Sequence, residues 1–333
     1  MLGRALAAVG ALALLLAGAL LVWSYSALWR PVSSREVAIT VAEGAPAGEV
    51  LADLHRAGLL PSPVAGRLYL RAFASGRSPR WGHYRFPAGS RPADALERVL
   101  EGRVETVAVT IVEGWGVEEV AAACAAAGVG TVDEWRAIAR RRELIADLAP
   151  AAPSLEGFLF PDTFRFAVGL AVPSAADHML DRFREVWRAE TAAEGELWAS
   201  PLELVTLASL VEAETSVAEE RPLVAGVYRN RLARGMLLQC DPTVVYALKR
   251  RGEWQGRLLL RHLATDDPYN TYRYPGLPPG PINSPGRAAL AAALRPASHD
   301  LLYFVASPGG GHSFSRTLAE HERAVAHWRA SRR

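Results

Sequence analysis

The stretch VAITVAEGAPAGEVLADLHRAGL, residues 37–59, recurs in altered form as VAVTIVEGWGVEEVAAACAAAGV, residues 107–129. Each copy opens with a short β-branched run, continues through a Glu-Gly turn, and closes with a helical pattern that a glycine ends. Both copies therefore predict a strand followed by a helix, with Gly58 and Gly128 ending the two helices. The repeat indicates an α+β fold.

The sequence around the two copies extends this pattern. PVAGRLYLRAFASG, residues 63–76, predicts a second helix, WGHYRF, residues 81–86, a strand, and ADALERVLEG, residues 93–102, another helix. We therefore predict a small α+β module over residues 36–130, in which nothing indicates catalysis. Its aromatic residues Trp81, Tyr84 and Trp115 are expected to pack in the core, and stacking on sugar rings is the alternative.

Composition narrows the functional class. The chain has 333 residues, enough for two domains, and a net charge of +2, which gives no sequence-wide basic field for nucleic acid. Cys124 and Cys240 belong to no CxxC pair, so a zinc site is not expected, while a disulfide between them stays open. Serine-hydrolase, zinc-protease and nucleotide-binding motifs do not occur in a fitting context. We predict neither a metal nor a cofactor.

The N-terminus predicts a membrane anchor. The run from Ala5 to Trp29 contains no charged residue and ends in aromatic residues, and a span needs about 20 apolar residues. A cleaved signal peptide is the alternative, but the run is long for one and no clear cleavage site closes it. We expect residues 1–30 to form a cytoplasmic tip and a single transmembrane helix, with the body on the extracytoplasmic side of the cell (inner) membrane.

A predicted helix carries two glutamates, Glu212 and Glu214. Ser200 to Glu203 form a capping box with proline at the first helical position, and apolar residues follow at helical spacing. The positions three and four residues from Glu214 are all apolar, whereas those around Glu212 are small or polar. We therefore expect Glu214 on the apolar face of the helix and Glu212 on a polar one.

A carboxyl group in apolar surroundings is harder to ionise, so its pKa rises and it can donate a proton near neutral pH. Glu214 is therefore a candidate general acid. The alternative is an ion pair with a buried arginine of the next helix, for which Arg229, Arg231 and Arg234 are available. The helix alone does not decide between them.

Polar residues downstream are candidates for a binding groove. Gln239, Asp241 and Thr243 precede an apolar helical run, although Asp241 with Pro242 also suits a helix cap. The segment 266–286 is rich in proline and aromatic residues and too long for a simple connection, which indicates a functional loop. It supplies amides and rings that suit carbohydrate: Tyr269, Asn270, Tyr272 and Asn283. His312 follows in a glycine turn, as a weak catalytic signal.

These segments resemble a known family. The stretches that carry the resemblance occur in the same order in the YceG-like endolytic murein transglycosylases: EGFLFPDTF (156–164), LASLVEAET (207–215), ERPLVAGVYRNRL (220–232), LQCDPTVVYAL (238–248), YNTY (269–272), GLPPGPINSPG (276–286), LYFVA (302–306) and GHSFS (311–315). The resemblance runs from the anchor to about residue 328. At Cys240 the chain departs from the family, which usually has a small hydroxyl residue there.

The resemblance implies a membrane anchor, a LysM-like α+β module over 36–130 and a mixed α+β catalytic domain over 131–333. It implies that Glu214 is the catalytic acid of a lytic transglycosylase that cuts nascent peptidoglycan strands, leaves 1,6-anhydro ends and terminates elongation. Peptidoglycan synthases are expected as protein partners. Expected substrate contacts are Gln239, Asp241, Thr243, Asn270, Tyr272, Asn283 and Glu212. The alternatives are a non-enzymatic peptidoglycan-binding scaffold, and a hydrolase using a second carboxylate from Glu212, Asp162 or Asp241.

Overall fold

The computed structural model describes residues 2–331, apart from the side chains of residues 2–9, 13, 17, 20, 21, 24 and 25. The predicted domain limits at Met1 and Arg333 thus lie outside the described residues. The fold is mixed α+β. Its helices are α1 Leu2–Trp29, α2 Ala47–Arg56, α3 Pro63–Phe73, α4 Pro92–Glu101, α5 Val117–Ala126, α6 Val132–Ala139, α7 Val172–Thr191, α8 Pro201–Glu214, α9 Arg221–Ala233, α10 Asp241–Arg250, α11 Arg287–Leu294 and α12 Leu318–Ser331.

The strands form two-stranded sheets, each from one pair. The strands are β1 Val37–Val41, β2 Gly82–Phe86, β3 Thr106–Thr110, β4 Thr163–Ala167, β5 Tyr303–Ala306 and β6 His312–Ser315. β1 pairs with β2, β3 with β4 and β5 with β6. The first and third pairs are antiparallel.

The first compact unit comprises Met1–Val107 and Arg165–Leu170. In it, β1 and β2 enclose α2 and α3 in a strand–helix–helix–strand order, and Ile39 pairs with Tyr84 across the sheet. Leu51 and Leu54 of α2 pack with Tyr84 in the core. The expectation that Tyr84 is a core residue is confirmed, whereas Trp81 is 42% exposed.

The repeat is confirmed at the level of its elements. β1 with α2 and β3 with α5 are the two strand–helix copies, and the turn glycines Gly44 and Gly114 have φ values of 74° and 81°. Gly58 and Gly128 follow the helices with φ values of 74° and 78°. These left-handed conformations are open to glycine at low cost, which explains the shared Glu-Gly and Ala-Gly pairs.

The second compact unit comprises Ala108–Phe164 and Ala171–Arg333, so the division falls within β3 and β4. It therefore takes in the second repeat copy, rather than beginning near residue 131. The physical reason is that α5 packs against α6, which belongs to the second unit.

In the second unit, α8 is the central helix. Every residue from Leu204 to Val211 is buried, and α8 packs against α9, α10 and α11. The predicted division of this helix into an apolar and a polar face is therefore wrong: a helix buried on all sides has neighbours in every direction. Cys124 and Cys240 are both buried and free, which closes the question of a disulfide.

No helix among the described residues is long and apolar enough to cross a membrane.

Candidate active site

Glu214 is the last residue of α8. The next residue, Thr215, is extended, with φ −144° and ψ 132°, so the helix stops there. Val217 and Ala218 consequently do not continue the helix below Glu214, contrary to the expected helical neighbours. The carboxyl group instead projects from a helix end, where chain segments from outside the helix surround it.

Those segments place a phenol and a thiol beside the acid. The hydroxyl group of Tyr228, in α9, donates a hydrogen bond to Oε1 of Glu214 at 3.1 Å. Burial raises the pKa of Glu214, and the negative charge of Asp241 adds to that rise, while Cys240, Tyr228 and His312 act in the opposite direction. The predicted rise in pKa is supported, but its neighbours are Tyr228 and Cys240 rather than the residues of an apolar helix face.

Glu212 has a different role from the one predicted. Its Oε1 lies 3.3 Å from the guanidinium of Arg221, and its Oε2 accepts a hydrogen bond from the backbone N–H of Gly286 at 2.9 Å. The Glu212 side chain is 7% exposed and that of Arg221 is 11% exposed. The expectation of a polar, substrate-facing position is corrected: both carboxylate oxygens are used inside the fold, so Glu212 fixes α8 to the segment before α11.

The arginines proposed as partners of Glu214 are used elsewhere. Arg231 is buried and donates to the carbonyl oxygens of Leu302 at 2.7 Å and Leu238 at 2.9 Å. The guanidinium of Arg229 lies over the ring of Trp198, 5.4 Å from its centroid. Among the ion pairs of the described side chains, Glu214 has none with Arg229, Arg231 or Arg234, so the ion-pair alternative loses its support.

Two of the predicted groove residues meet beside the acid. The hydroxyl group of Tyr272 donates to Oδ1 of Asp241 at 2.6 Å, and burial raises the pKa of that tyrosine. Asp241 begins α10, but the capping position itself is Cys240. Gln239 is exposed and has φ 50°, a left-handed value that costs a non-glycine residue free energy. Such strain is common beside functional sites.

Thr243 and Asn270 do not face a groove, which corrects the expectation of direct contact. Thr243 is fully buried and its hydroxyl donates to the carbonyl oxygen of Cys240 at 2.7 Å. Asn270 is also fully buried, and its amide donates to the carbonyl oxygens of Leu263 and Thr265. Both side chains hold the backbone that carries Cys240 and Tyr272.

Asn283 is buried and lies between α8 and a cavity. Its Nδ2 donates to the carbonyl oxygen of Ser209 at 2.9 Å, while its Oδ1 has no hydrogen-bond partner. An unpaired buried oxygen is costly, so this atom is suited to accept from a ligand or a water.

A cavity of about 1200 Å³ adjoins these residues. Its lining includes Ala213, the residue before Glu214, and Asp241, whose charge acts on Glu214, and it continues along α10, although Glu214 itself is not part of the lining. The far wall includes residues of α5, α6 and the segment after α10. Its lining contains Asn283, Glu156, Tyr246, Tyr269, Arg140, Arg250 and Trp254. A cavity of this size accommodates a ligand larger than one sugar.

Glu156 is a candidate functional residue that its sequence context did not indicate, although it begins the stretch EGFLFPDTF. This carboxyl group is 7% exposed and accepts hydrogen bonds from the backbone N–H of Val117 at 3.0 Å and the Tyr246 hydroxyl at 3.2 Å. Burial raises its pKa to about 7. The only signal in the sequence was the acidic residue before the glycine of EGFLFPDTF.

A second missed arrangement joins Glu220 to His312. Glu220 accepts from the backbone N–H of His312 and contacts its Nδ1, both at 2.7 Å, and accepts from the hydroxyl of Thr215 at 3.1 Å. Burial alone raises the pKa of Glu220, but the hydrogen bonds from His312 and Thr215 hold it below the usual value. The Glu220 carboxylate thus fixes the residue after Glu214 to β6.

Residues 39–327 match the model of the YceG-like family. The chain belongs to the YceG-like family. The crystal structure of a YceG-like protein from Listeria monocytogenes superposes with a TM-score of 0.56 at 27% identity, over 87% of this chain and 99% of that one. This similarity shows that most of the chain has the YceG-like fold.

Two curated relatives carry the name endolytic murein transglycosylase. The one from Bacillus subtilis is 38% identical over 178 residues, which is 51% of this chain and 47% of the relative. The one from Streptococcus pneumoniae R6 is 29% identical over 328 residues, 88% of this chain and 58% of the relative. This YceG-like chain therefore spans about half to three fifths of the length of these relatives.

Proposed function

We propose that this protein is an endolytic murein transglycosylase in which Glu214 is the catalytic acid. The observation that carries the proposal is a partly buried carboxyl group with a raised pKa at the end of α8, next to Ala213 and Asp241, which line a large cavity. Relatives of that name supply the substrate class, the glycan strands of peptidoglycan. A carboxyl group that stays protonated near neutral pH can donate to a glycosidic oxygen.

The proposed reaction needs one carboxyl group. Glu214 gives its proton to the oxygen between N-acetylmuramic acid and N-acetylglucosamine, and the C–O bond breaks as positive charge develops on the muramyl ring. The ionised Glu214 then accepts the proton of the muramyl 6-hydroxyl, whose oxygen bonds to C1 and closes a 1,6-anhydro ring. The proton lost from the carboxyl group is thereby restored, and no water enters the product.

The surrounding residues suit this role. Tyr228 fixes one carboxyl oxygen, and the charge of Asp241 helps to keep the proton on Glu214. Asp241, Tyr272, Gln239 and the free Oδ1 of Asn283 remain our candidates for sugar contacts. Thr243, Asn270 and Glu212 act on the same site through the backbone that they hold.

A hydrolase needs a second carboxylate placed to activate a water. Asp162 accepts from Arg182 at 2.8 Å, and Glu212 is bonded to Arg221 and Gly286. Asp241 is the acidic residue whose charge acts on Glu214, so it is the one that supports the hydrolase alternative. A non-enzymatic scaffold gives no reason for an acid with a raised pKa next to residues of the cavity.

Digestion of uncross-linked glycan in ¹⁸O-labelled water, read by mass spectrometry, tests the proposal. A transglycosylase gives 1,6-anhydro ends that lack the label and are lighter by one water than hydrolysis products. Predominantly labelled reducing ends establish a hydrolase instead, and unchanged strands establish the scaffold. Internal cuts, rather than stepwise loss of terminal units, identify an endolytic enzyme.

We further propose, from the sequence, that residues 5–29 anchor the chain in the cell membrane with its body on the extracytoplasmic side. The strand–helix–helix–strand order of the first unit suits a LysM-like module that binds or positions glycan. Cutting nascent strands beside the membrane would terminate their elongation, and peptidoglycan synthases are the expected partners. Membrane fractionation tests the anchor: a shortened protein in the soluble fraction contradicts it.

A further inference from the structure

The cavity is lined by basic side chains from α6, from α10 and from the residue after α10, and they differ in whether a carboxylate pairs with them. Several of its basic side chains are already paired: Arg136 with Glu118 and Asp133, Lys249 with Glu119, and Arg251 with Glu253. Arg250 and Arg140 also line it, yet neither has a carboxylate within an ion-pair distance among the described side chains. Two guanidinium groups of the lining are therefore left without an ion-pair partner among the described side chains.

Arg250 is also held in place. Its guanidinium lies 4.7 Å from the ring centroid of Tyr269 and 5.9 Å from that of Tyr246, and the two rings are themselves 4.8 Å apart. Such cation–π contacts orient the planar group while leaving its N–H donors free. Tyr246 is fixed in turn by its hydrogen bond to Glu156. The arrangement presents a pre-organised donor for a planar or tetrahedral anion.

We propose that the region around Arg250 is a subsite for an anionic substituent of the glycan, a carboxylate of a peptide stem or the pyrophosphate of a lipid-linked end. The proposal rests on the proposed function for the identity of the polymer. Unsubstituted sugars of this polymer offer hydroxyl and acetamido groups, which are neutral and do not require a guanidinium partner. An anionic group on the substrate would form charge-assisted hydrogen bonds with an unpaired guanidinium group.

The distance along α10 favours the peptide stem. Arg250 is nine positions after Asp241, whose charge acts on Glu214, so the helix spans about 14 Å between them. An extended peptide of four residues reaches about 14 Å at most. A stem attached to the muramic acid that is being cleaved can therefore bring its carboxylate to Arg250. Pyrophosphate lies at a strand terminus, which an endolytic cut does not need to approach.

The test uses the full chain in detergent with three substrates: peptide-bearing strands, the same strands after an amidase has removed the stems, and stripped strands that keep the lipid pyrophosphate. Arg250→Gln is the test variant, and Arg250→Met keeps the aliphatic packing on the two tyrosine rings. Arg251→Gln is the matched control, because it removes a charge from the next residue, whose guanidinium is already paired with Glu253.

We expect Arg250→Gln to raise the KM for peptide-bearing strands about tenfold, the effect of one charge-assisted hydrogen bond, with little change in kcat. The KM for stripped, lipid-free strands stays unchanged, and Arg251→Gln behaves as the parent. If only the lipid-linked strands respond, pyrophosphate is the ligand. Equal effects on all three substrates, or none, overturn the subsite.

Measurements of binding without cleavage distinguish a failure of the subsite from a failure of the proposed function. If the parent protein cleaves no substrate, the transglycosylase assignment fails, but the subsite is still measurable as the difference in dissociation constant between peptide-bearing and stripped strands. That difference must disappear in Arg250→Gln and persist in Arg251→Gln. A difference that persists in both variants rules out Arg250.

Discussion

The hydroxyl of Tyr228 donates a 3.1 Å hydrogen bond to Oε1 of Glu214, which joins the middle of α9 to the last residue of α8. This contact fixes a partly buried carboxyl group from outside its own helix. The side chain of Cys240, which precedes α10, also bonds to this carboxyl group. Glu214 is therefore oriented by groups from α9 and from the start of α10.

Glu214→Gln is expected to abolish glycan cleavage while the protein stays folded. The amide has nearly the shape of the protonated acid and can still accept from Tyr228, but it cannot donate an acidic proton. A loss of at least 1,000-fold in kcat with an unchanged circular dichroism spectrum is the expected result, in the range of general-acid effects. A folded variant that cleaves strands at the parental rate refutes the assignment.

Glu212→Gln is the matched control two residues away, and it should act on stability rather than on chemistry. It leaves the mostly buried Arg221 without its counter-charge, which typically costs about 3 kcal/mol when a buried pair is broken. We expect a lower unfolding temperature and, in the folded protein, a kcat within a few-fold of the parent. If the variant keeps the parental melting temperature but loses its kcat, Glu212 acts in the chemistry rather than in stability.

The contrast between these two glutamates shows what the sequence could and could not predict. The existence of α8, its capping box at Ser200 and Glu203, and the choice of Glu214 as the acid all follow from local pattern and resemblance. The surroundings of Glu212 and Glu214 do not follow from the local pattern. The predicted neighbours of Glu214 require a helix that continues past it with one apolar face, whereas α8 ends at Glu214 and every residue from Leu204 to Val211 is buried.

Two of the groove residues, Thr243 and Asn270, are not where the sequence predicted them, because the tertiary environment again decides. Residue type indicates hydrogen-bonding capacity, but not whether the backbone or a ligand uses it. Thr243 and Asn270 satisfy backbone groups inside the loop, while Asn283 keeps one oxygen unpaired. Glu156 was missed because its partners, Val117 and Tyr246, are 39 and 90 residues distant in sequence. Only the tertiary fold brings them together.

Asp241→Asn should shift the pH dependence of cleavage. The step needs protonated Glu214, so kcat/KM falls as pH rises through the raised pKa of that group. Removing the negative charge of Asp241 makes ionisation of Glu214 easier, which lowers its pKa and moves the alkaline limb of the profile to lower pH. The measurement is kcat/KM between pH 4 and 9. An alkaline limb that moves to higher pH contradicts the charge relationship.

Tyr228→Phe should move the same limb in the opposite direction. The phenolic hydroxyl counteracts the rise in the pKa of Glu214, so its removal lets that pKa rise further. We expect the alkaline limb at higher pH and a kcat reduced by about tenfold, because the carboxyl group also loses its fixed orientation. Identical pH profiles for the parent and the variant would mean that the hydrogen bond from Tyr228 does not stabilise the ionised form of Glu214.

Glu156→Gln should change how stability depends on pH. Burial raises the pKa of Glu156 to about 7 in the folded protein, from 4.5 in the unfolded chain, so the folded state holds the proton more tightly. Its contribution to the free energy of unfolding is complete below pH 4.5 and is lost as pH rises through 7. The loss amounts to about 3 kcal/mol by pH 8.

Glutamine does not titrate, so the variant should lose less stability than the parent between pH 5 and pH 8, as measured by denaturant unfolding at both values. Glu253→Gln, at an exposed carboxylate that is not among the groups acting on Glu156, is the control and should leave the pH dependence of the parent in place. A parental pH dependence in Glu156→Gln would show that this carboxyl group is ionised in the folded protein across the whole range.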